Sequence, residues 1–211
     1  MKVSLTKEVR DMYESTAESY SKMMDKEIDL PVYSEILGRL HERIANVPGT
    51  LIDTACGSGH MMSMYRKRYD QRRSLLGIDL SPRMVSIAGK KLGSAGQVVV
   101  GDMRDLSQVE ANFASALLNF FAVHHLDPEG VRTAVKEWYR VLRPGGQLLV
   151  AAWEGVGTID YGEESEIVAF RYGNDELFKW SQEAGFDISR CVVEPVEGFP
   201  MDAVYLEGAK V

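Results

Sequence analysis

The sequence predicts an α/β protein organised around a parallel β-sheet, and three observations predict it. Five short runs rich in apolar and β-branched residues have the length and composition of buried strands: Thr50–Thr54, Ser74–Asp79, Gln97–Gly101, Phe113–Phe120 and Gln147–Trp153. Helical patterns and short connections alternate with them, the arrangement that yields right-handed crossovers. The first run also breaks at once into Ala55-Cys56-Gly57-Ser58-Gly59 and then His60-Met61-Met62, a helix start. A strand, a tight glycine loop and a helix N-terminus form a corner whose free backbone amides face a ligand.

The elements follow in order. Thr6 to Met24 carries charge, Tyr, Ser and Met without a breaker and reads as a helix, with Thr6 as its cap and apolar spacing through Val9, Met12 and Tyr13. Tyr13 and Tyr20 lie two turns apart and share a face, as packing residues or as a lid over the ligand site. Pro31 to Ala45 repeats Ile36, Leu37, Leu40 and Ile44, an amphipathic helix with Pro31 in its first turn. Asn46-Val47-Pro48-Gly49 turns the chain into the first strand. Ser81 caps a helix that has Pro82 at its first position and runs to Leu92. Pro128 to Leu142 is helical, with Val131, Val135, Trp138 and Val141 on one face, and Arg143-Pro144-Gly145-Gly146 stops it. Glu154 to Gly173 reads as an irregular connection, Asp175 to Ala184 as a helix ending at Gly185. Ile188–Val196 and Met201–Gly208 read as a closing strand pair.

With 211 residues the chain can bury one sizeable core, and 45% hydrophobic and 26% charged residues are ordinary for a soluble globular protein. A net charge of −7 argues against a nucleic-acid surface or an anionic membrane as partner. No run is apolar enough to span a bilayer, and Met1-Lys2-Val3-Ser4-Leu5-Thr6 is not a signal peptide, so a cytoplasmic protein is expected. Cys56 and Cys191 have no metal spacing and read as reduced thiols.

The acids around the corner narrow the ligand. A dinucleotide fingerprint wants a third glycine, yet Met62 stands there, and Asp53 before the loop would repel a pyrophosphate. Asp53 suits an ammonium or sulfonium group instead. Asp79, closing the second strand, can accept from both ribose hydroxyls, and Asp102, after the third, from an adenine amino group. Any one of them could equally cap a helix or sit in a solvated turn. Three in register at neighbouring strand ends argue for one crevice.

With these residues in view the chain resembles the class I S-adenosylmethionine-dependent methyltransferases. Ile52-Asp53-Thr54-Ala55-Cys56-Gly57-Ser58-Gly59 is similar to the family's glycine loop, Gly77-Ile78-Asp79-Leu80-Ser81 to its ribose acid, and Val100-Gly101-Asp102-Met103 to its adenine-side motif. Val141 to Leu149 and Ala184-Gly185-Phe186 resemble its turns into the fifth and sixth strands, and Ala55 departs from the family's usual first glycine. The resemblance implies a Rossmann-like seven-stranded, mostly parallel sheet with the last strand antiparallel. It also implies a division into N-terminal lid helices at 1–46 and a core at 47–211. The cofactor would be S-adenosyl-L-methionine, leaving as S-adenosyl-L-homocysteine. It would be held by Tyr13, Tyr20, Asp53, Thr54, Ala55, Cys56, Gly57, Gly59, Asp79, Leu80, Met84, Gly101, Asp102, Met103, Asn119 and Phe120.

Methyl transfer is an in-line displacement in which alignment carries most of the rate, and a base serves only an acceptor that must lose a proton. His125 or His124, after the fourth strand, is the candidate base, unless one of them merely orients the loop. Phe121, Trp153 and Glu154 are the candidate acceptor contacts. Phe120-Phe121-Ala122 after Asn119 replaces the Pro-Pro-aromatic motif of amino-group methyltransferases acting on DNA or protein. The expected acceptor is therefore an O or N nucleophile of a small molecule, a specialised metabolite among the options, with no metal. Methylation of protein or RNA, a noncatalytic cofactor-binding adaptor and a nicotinamide oxidoreductase are the alternatives, and the chain is expected to be a monomer or homodimer. Asp79→Ala should severely weaken S-adenosylhomocysteine binding in calorimetry; an unchanged affinity removes Asp79 from the ribose site.

Overall fold

In the computed structural model, residues 4–159 and 167–211 are described. Seven strands form one sheet in the order β3-β2-β1-β4-β5-β9-β8. They are β1 (Thr50–Asp53), β2 (Leu75–Asp79), β3 (Gln97–Val100), β4 (Ala114–Phe120), β5 (Leu142–Trp153), β8 (Phe186–Pro195) and β9 (Asp202–Lys210). Pairs β1–β2, β1–β4, β2–β3 and β4–β5 are parallel, whereas β9 runs antiparallel to both β5 and β8. This is the Rossmann-like sheet that the resemblance implies, last strand included.

Alternation along the strands divides the core between two faces, because successive side chains point to opposite sides of a sheet. Leu51, Ala116, Leu118, Leu149 and Ala151 pack with α2 (Pro31–Ile44), α3 (His60–Arg68) and α4 (Pro82–Leu92). Ile52, Leu117, Leu148 and Val150 pack with α5 (Pro128–Val141) and α6 (Asn174–Glu183). α2 buries the whole expected stripe of Ile36, Leu37, Leu40 and Ile44 in the sheet's core. It is thus a core layer despite falling within residues 1–46. Trp138 of α5 is fully buried and donates its indole N–H to the Met103 carbonyl at 3.0 Å, which ties the far layer to the loop after β3.

Several local expectations hold and a few shift. Ser81 caps α4 by accepting from Met84 N at 3.1 Å, with Pro82 at its first position. Thr6 is not a cap but the first residue of α1 (Thr6–Glu27); the Glu8 carboxylate takes the Leu5 N–H at 2.7 Å instead. Arg143-Pro144-Gly145-Gly146 is not a gap between helix and strand. Leu142 already pairs with Ala114, and a register shift with Gly145 at φ +79° absorbs the turn within β5. Within the expected irregular connection, β6 (Thr158–Ile159) and β7 (Ala169–Phe170) form a small antiparallel pair, and its stretch 160–166 lies outside the described residues.

Gly77, in the middle of β2, has packing as its reason. A Cβ there would lie 2.5 Å from Met62 Cε and 2.8 Å from Cys56 Sγ, so the glycine loop is seated directly on the strand backbone. Gly77→Ala is expected to destabilise the fold by about 1–3 kcal/mol in denaturant unfolding through overpacking. A wild-type midpoint would show that the loop can lift without cost.

Candidate active site

The carboxyl ends of β1 to β4 meet at the glycine loop, and each contributes a polar group. Asp53, at the end of β1, is only 2% exposed, and its Oδ1 has no hydrogen-bond partner among the described residues. Burial pushes its carboxyl up to about 7, partly opposed by the Ala55 backbone and reinforced by nearby Asp79. Asp79 accepts the Gly57 N–H at 2.8 Å on one oxygen and the Ser81 N–H at 3.0 Å on the other. Burial raises its pKa as well, against the pull of those amides. Gly57 sits at φ +49°, and a Cβ there would come within 3.3 Å of the Tyr20 ring, so the loop leaves room only for backbone. Asp102 is more committed than expected: Arg104 donates to both its oxygens, at 3.0 and 2.6 Å among others, and also reaches Thr6 Oγ1 at 2.7 Å.

Two cavities open on these groups. The first, about 850 Å³ of empty space, is lined by Asp79, Leu80, Met84, Gly101, Asp102 and Met103, with Thr54 and Gly57 at the loop. The second, about 1260 Å³, contains Asp53, Cys56, His124 and Trp153. Tyr13, Tyr20, Ala55, Phe120 and Phe121 line both, so one wall divides and joins them. Phe121 holds that wall in a left-handed backbone at φ +50°, its N–H bonded to the Ala151 carbonyl at 2.8 Å. A non-glycine residue in that region is strained unless its surroundings demand it.

Three expected site residues lie away from both cavities. Asn119 is fully buried beneath them, donating to Thr54 Oγ1 at 3.1 Å and Met103 Sδ at 3.2 Å. Gly59, at φ +78°, serves helix packing: a Cβ there would meet Ala88 of α4 at 3.0 Å. Glu154 follows Trp153, and the strand's alternation carries it off the cavity face.

The two histidines separate. His125 lines the first cavity and its Nε2 is hydrogen-bonded to the Tyr13 hydroxyl at 2.8 Å. His124 lines the second, and its Nδ1 has no partner among the described residues. Burial holds His125 down to about 4 and His124 well below the usual range, so both are neutral near pH 7.

Helix α1 roofs both cavities and is fastened by polar contacts more than by apolar burial. Glu14 accepts from Ser81 Oγ at 2.6 Å and from Arg83 N at 3.0 Å, at the N-terminus of α4. Asp25 meets His60 Nε2 at 2.7 Å and Lys91 Nζ at 3.1 Å, and Ser4 Oγ accepts from Val168 N at 2.6 Å. Sequence reasoning missed these clasps and the Arg104 clamp on Asp102. Charged residues on a helix look solvated until their partners, 35 to 69 residues away, fold against them.

A parallel sheet whose strand ends gather carboxylates around a glycine loop defines a nucleoside-binding α/β domain. Comparison with known proteins narrows the class. Residues 51–146 match the family model for a methyltransferase domain. The chain is similar to the probable tRNA methyltransferase 9B of Bos taurus, 31% identical over 69% of this chain and 29% of that protein. It is also similar to the carboxy-S-adenosyl-L-methionine synthase of Chromohalobacter salexigens, 30% identical over 58% of this chain and 47% of the relative. The chain thus spans less than half the length of these two curated relatives. A solved complex of the Haloferax volcanii Trm112 methyltransferase activator with a methyltransferase includes a chain of the same fold. Its TM-score is 0.76 at 18% identity, over 96% of this chain and 97% of that one. The chain carries a class I S-adenosylmethionine-dependent methyltransferase domain.

The site fits that cofactor. The orphaned Asp53 Oδ1 can accept from an ammonium group, Gly57 leaves space for close approach, and Asp79 faces the cavity that an adenosine needs. To pair with the ammonium, Asp53 must be ionised, so binding is unhindered above its pKa and must expel a proton below it. S-adenosylhomocysteine affinity is expected to fall as pH drops from about 8 to about 6, approaching roughly tenfold per unit. Neither histidine titrates in that window. Asp53→Asn should weaken binding at the upper pH and flatten the slope; an unchanged slope in calorimetry would pass the dependence to Asp79.

Proposed function

We propose that the protein transfers the methyl group of S-adenosylmethionine to an O or N nucleophile of a small molecule. The observation that carries this reading is the pair of cavities joined at one wall. Asp79, Asp102 and Asp127 stand in the lining of the first, whereas rings and methionines, among them Phe121, Trp153, Phe199, Met23 and Met24, line much of the second. When bound, the cofactor supplies an electrophilic methyl carbon on a sulfonium, which the acceptor's lone pair displaces in line while the carbon–sulfur pair returns to sulfur.

What this chain's own residues contribute is alignment and exclusion of water. Asp79, in the first cavity, fixes one end of the cofactor, and Asp53, just across the shared wall in the second, takes its ammonium end, while α1 closes over it through Tyr13 and Tyr20. The strained Phe121 and its neighbour Phe120 form the wall across which the methyl passes, and a fixed wall holds the reacting atoms in line. His125, bound to Tyr13, orients the lid against the loop after β4. Neutral His124 offers the acceptor a hydrogen-bonding atom and a place for its proton.

The bovine relative's name favours a second reading, methylation of tRNA. The net charge of −7 and a second cavity roofed by α1 support the small acceptor instead. Incubating the protein with cofactor labelled in its methyl group, against a metabolite extract and against bulk tRNA, separates the two. Label should enter small molecules; label in tRNA alone overturns the proposal. With an acceptor in hand, His124→Ala should slow transfer by about 10²-fold or more while cofactor affinity stays near wild type. Tyr13→Phe should weaken cofactor binding with a smaller effect on the bound rate. Equal rates for His124→Ala and wild type would reject the role of His124.

A further inference from the structure

The second cavity has a composition that selects among small acceptors. One side is a run of rings: Phe121 and Trp153 lie 4.6 Å apart between centroids, and Trp153 and Phe199 5.2 Å. Facing them, α1 contributes Met12, Met23 and Met24, flexible thioethers that adapt to a flat apolar body. Phe199 is 37% and Met23 40% exposed, so the apolar surface reaches the mouth.

The charges are one-sided. Among the described residues lining the cavity stand two carboxylates, Glu27 and Asp53, and two imidazoles, His60 and His124, with no lysine or arginine. Asp53 is claimed by the cofactor in the reading above. His60 is held neutral by burial and is already engaged by Asp25, Ser58 and Lys91, the Lys91 ammonium behind it being paired with Asp25. Glu27 closes α1 and has no ion pair among the described residues, and burial raises its carboxyl pKa. A phosphate or carboxylate entering here would meet apolar walls and a second negative group, with no cation to pair with it. A polar atom left for the acceptor is His124 Nδ1, buried and without a partner among the described residues. A hydroxyl suits it in either tautomer, because a hydroxyl both donates and accepts.

We propose that this cavity takes an uncharged, hydroxyl-bearing aromatic molecule, and that Glu27 is the specificity residue that bars anionic acceptors. The proposal rests on the methyltransferase reading of the adjoining cavity. It places the reaction after one that builds or hydroxylates an aromatic ring and before any step that adds a charged group to it.

The test is direct binding, without turnover, of 2-naphthol and 2-naphthyl phosphate to the protein loaded with S-adenosylhomocysteine. Quenching of Trp153, with Trp153→Phe as blank, or calorimetry gives the affinities. 2-Naphthol should bind at least about tenfold more tightly than the phosphate. Glu27→Gln should shrink that ratio by threefold or more. Met23→Lys, which sets a cation at the mouth, should tighten the phosphate selectively; circular dichroism checks that both variants fold. Equal or tighter binding of the phosphate by wild type, an unchanged ratio in both variants, or no naphthol binding at millimolar concentration overturns the proposal. Cofactor binding is measured in the same preparation. Its absence would sink the methyltransferase reading, whereas its presence with the phosphate preferred sinks only the acceptor class.

Discussion

Desolvation of acids at the strand ends is the interaction on which the rest of this structure depends. Asp53 and Asp79 stand on either side of the glycine loop, and burial makes both reluctant to ionise. An unpaired buried carboxylate is costly, and the fold tolerates Asp53 because a bound cation can satisfy it. Asp79 is handled differently: two backbone amides hold its oxygens, which fixes its direction before any ligand arrives. One acid is left with an unpaired oxygen among the described residues, and the other is held in a fixed direction by backbone amides.

Helix α1 is held over the cavities mainly by polar contacts. Of α1's residues only Val9 and Ala17 are buried, so little hydrophobic free energy holds the helix down. Its fastenings are Glu14 on the α4 N-terminus, Asp25 on His60 and Lys91, and Ser4 on Val168, mostly exposed polar contacts worth little individually. α2, next in the chain, is the opposite case: five buried residues seat it in the sheet's core. Neighbouring helices thus sit differently, one a layer of the core and one fastened over the cavities largely by polar contacts.

Much of the sheet could be read directly. Apolar β-branched runs and Ser81-Pro82 at a helix start are local signals, because strand burial and capping act within a few residues. The acids closing β1, β2 and β3 were legible for the same reason: in a parallel sheet strand ends converge, so position along the chain implies position in the crevice. Where local reading slipped, a long-range partner had intervened. Leu142 joins β5 because Ala114 is there to pair with it, and Asn119 sinks beneath the cavity because Thr54 and Met103 take its amide.

The sequence by itself determined the sheet, the glycine corner and the acids at the strand ends, since each is written in residues adjacent to the backbone they shape. Only the tertiary structure decided which histidine faces which cavity. His124 and His125 are neighbours with the same chemistry, and a short helical turn after β4 sends one toward the Tyr13 hydroxyl and the other into the apolar chamber. It alone brought Glu27, at the end of the first helix, into a chamber with aromatic residues from β5 and the β8–β9 turn. Residues more than a hundred positions apart share an environment only once the chain has folded, and that environment sets both their charge and what they can admit.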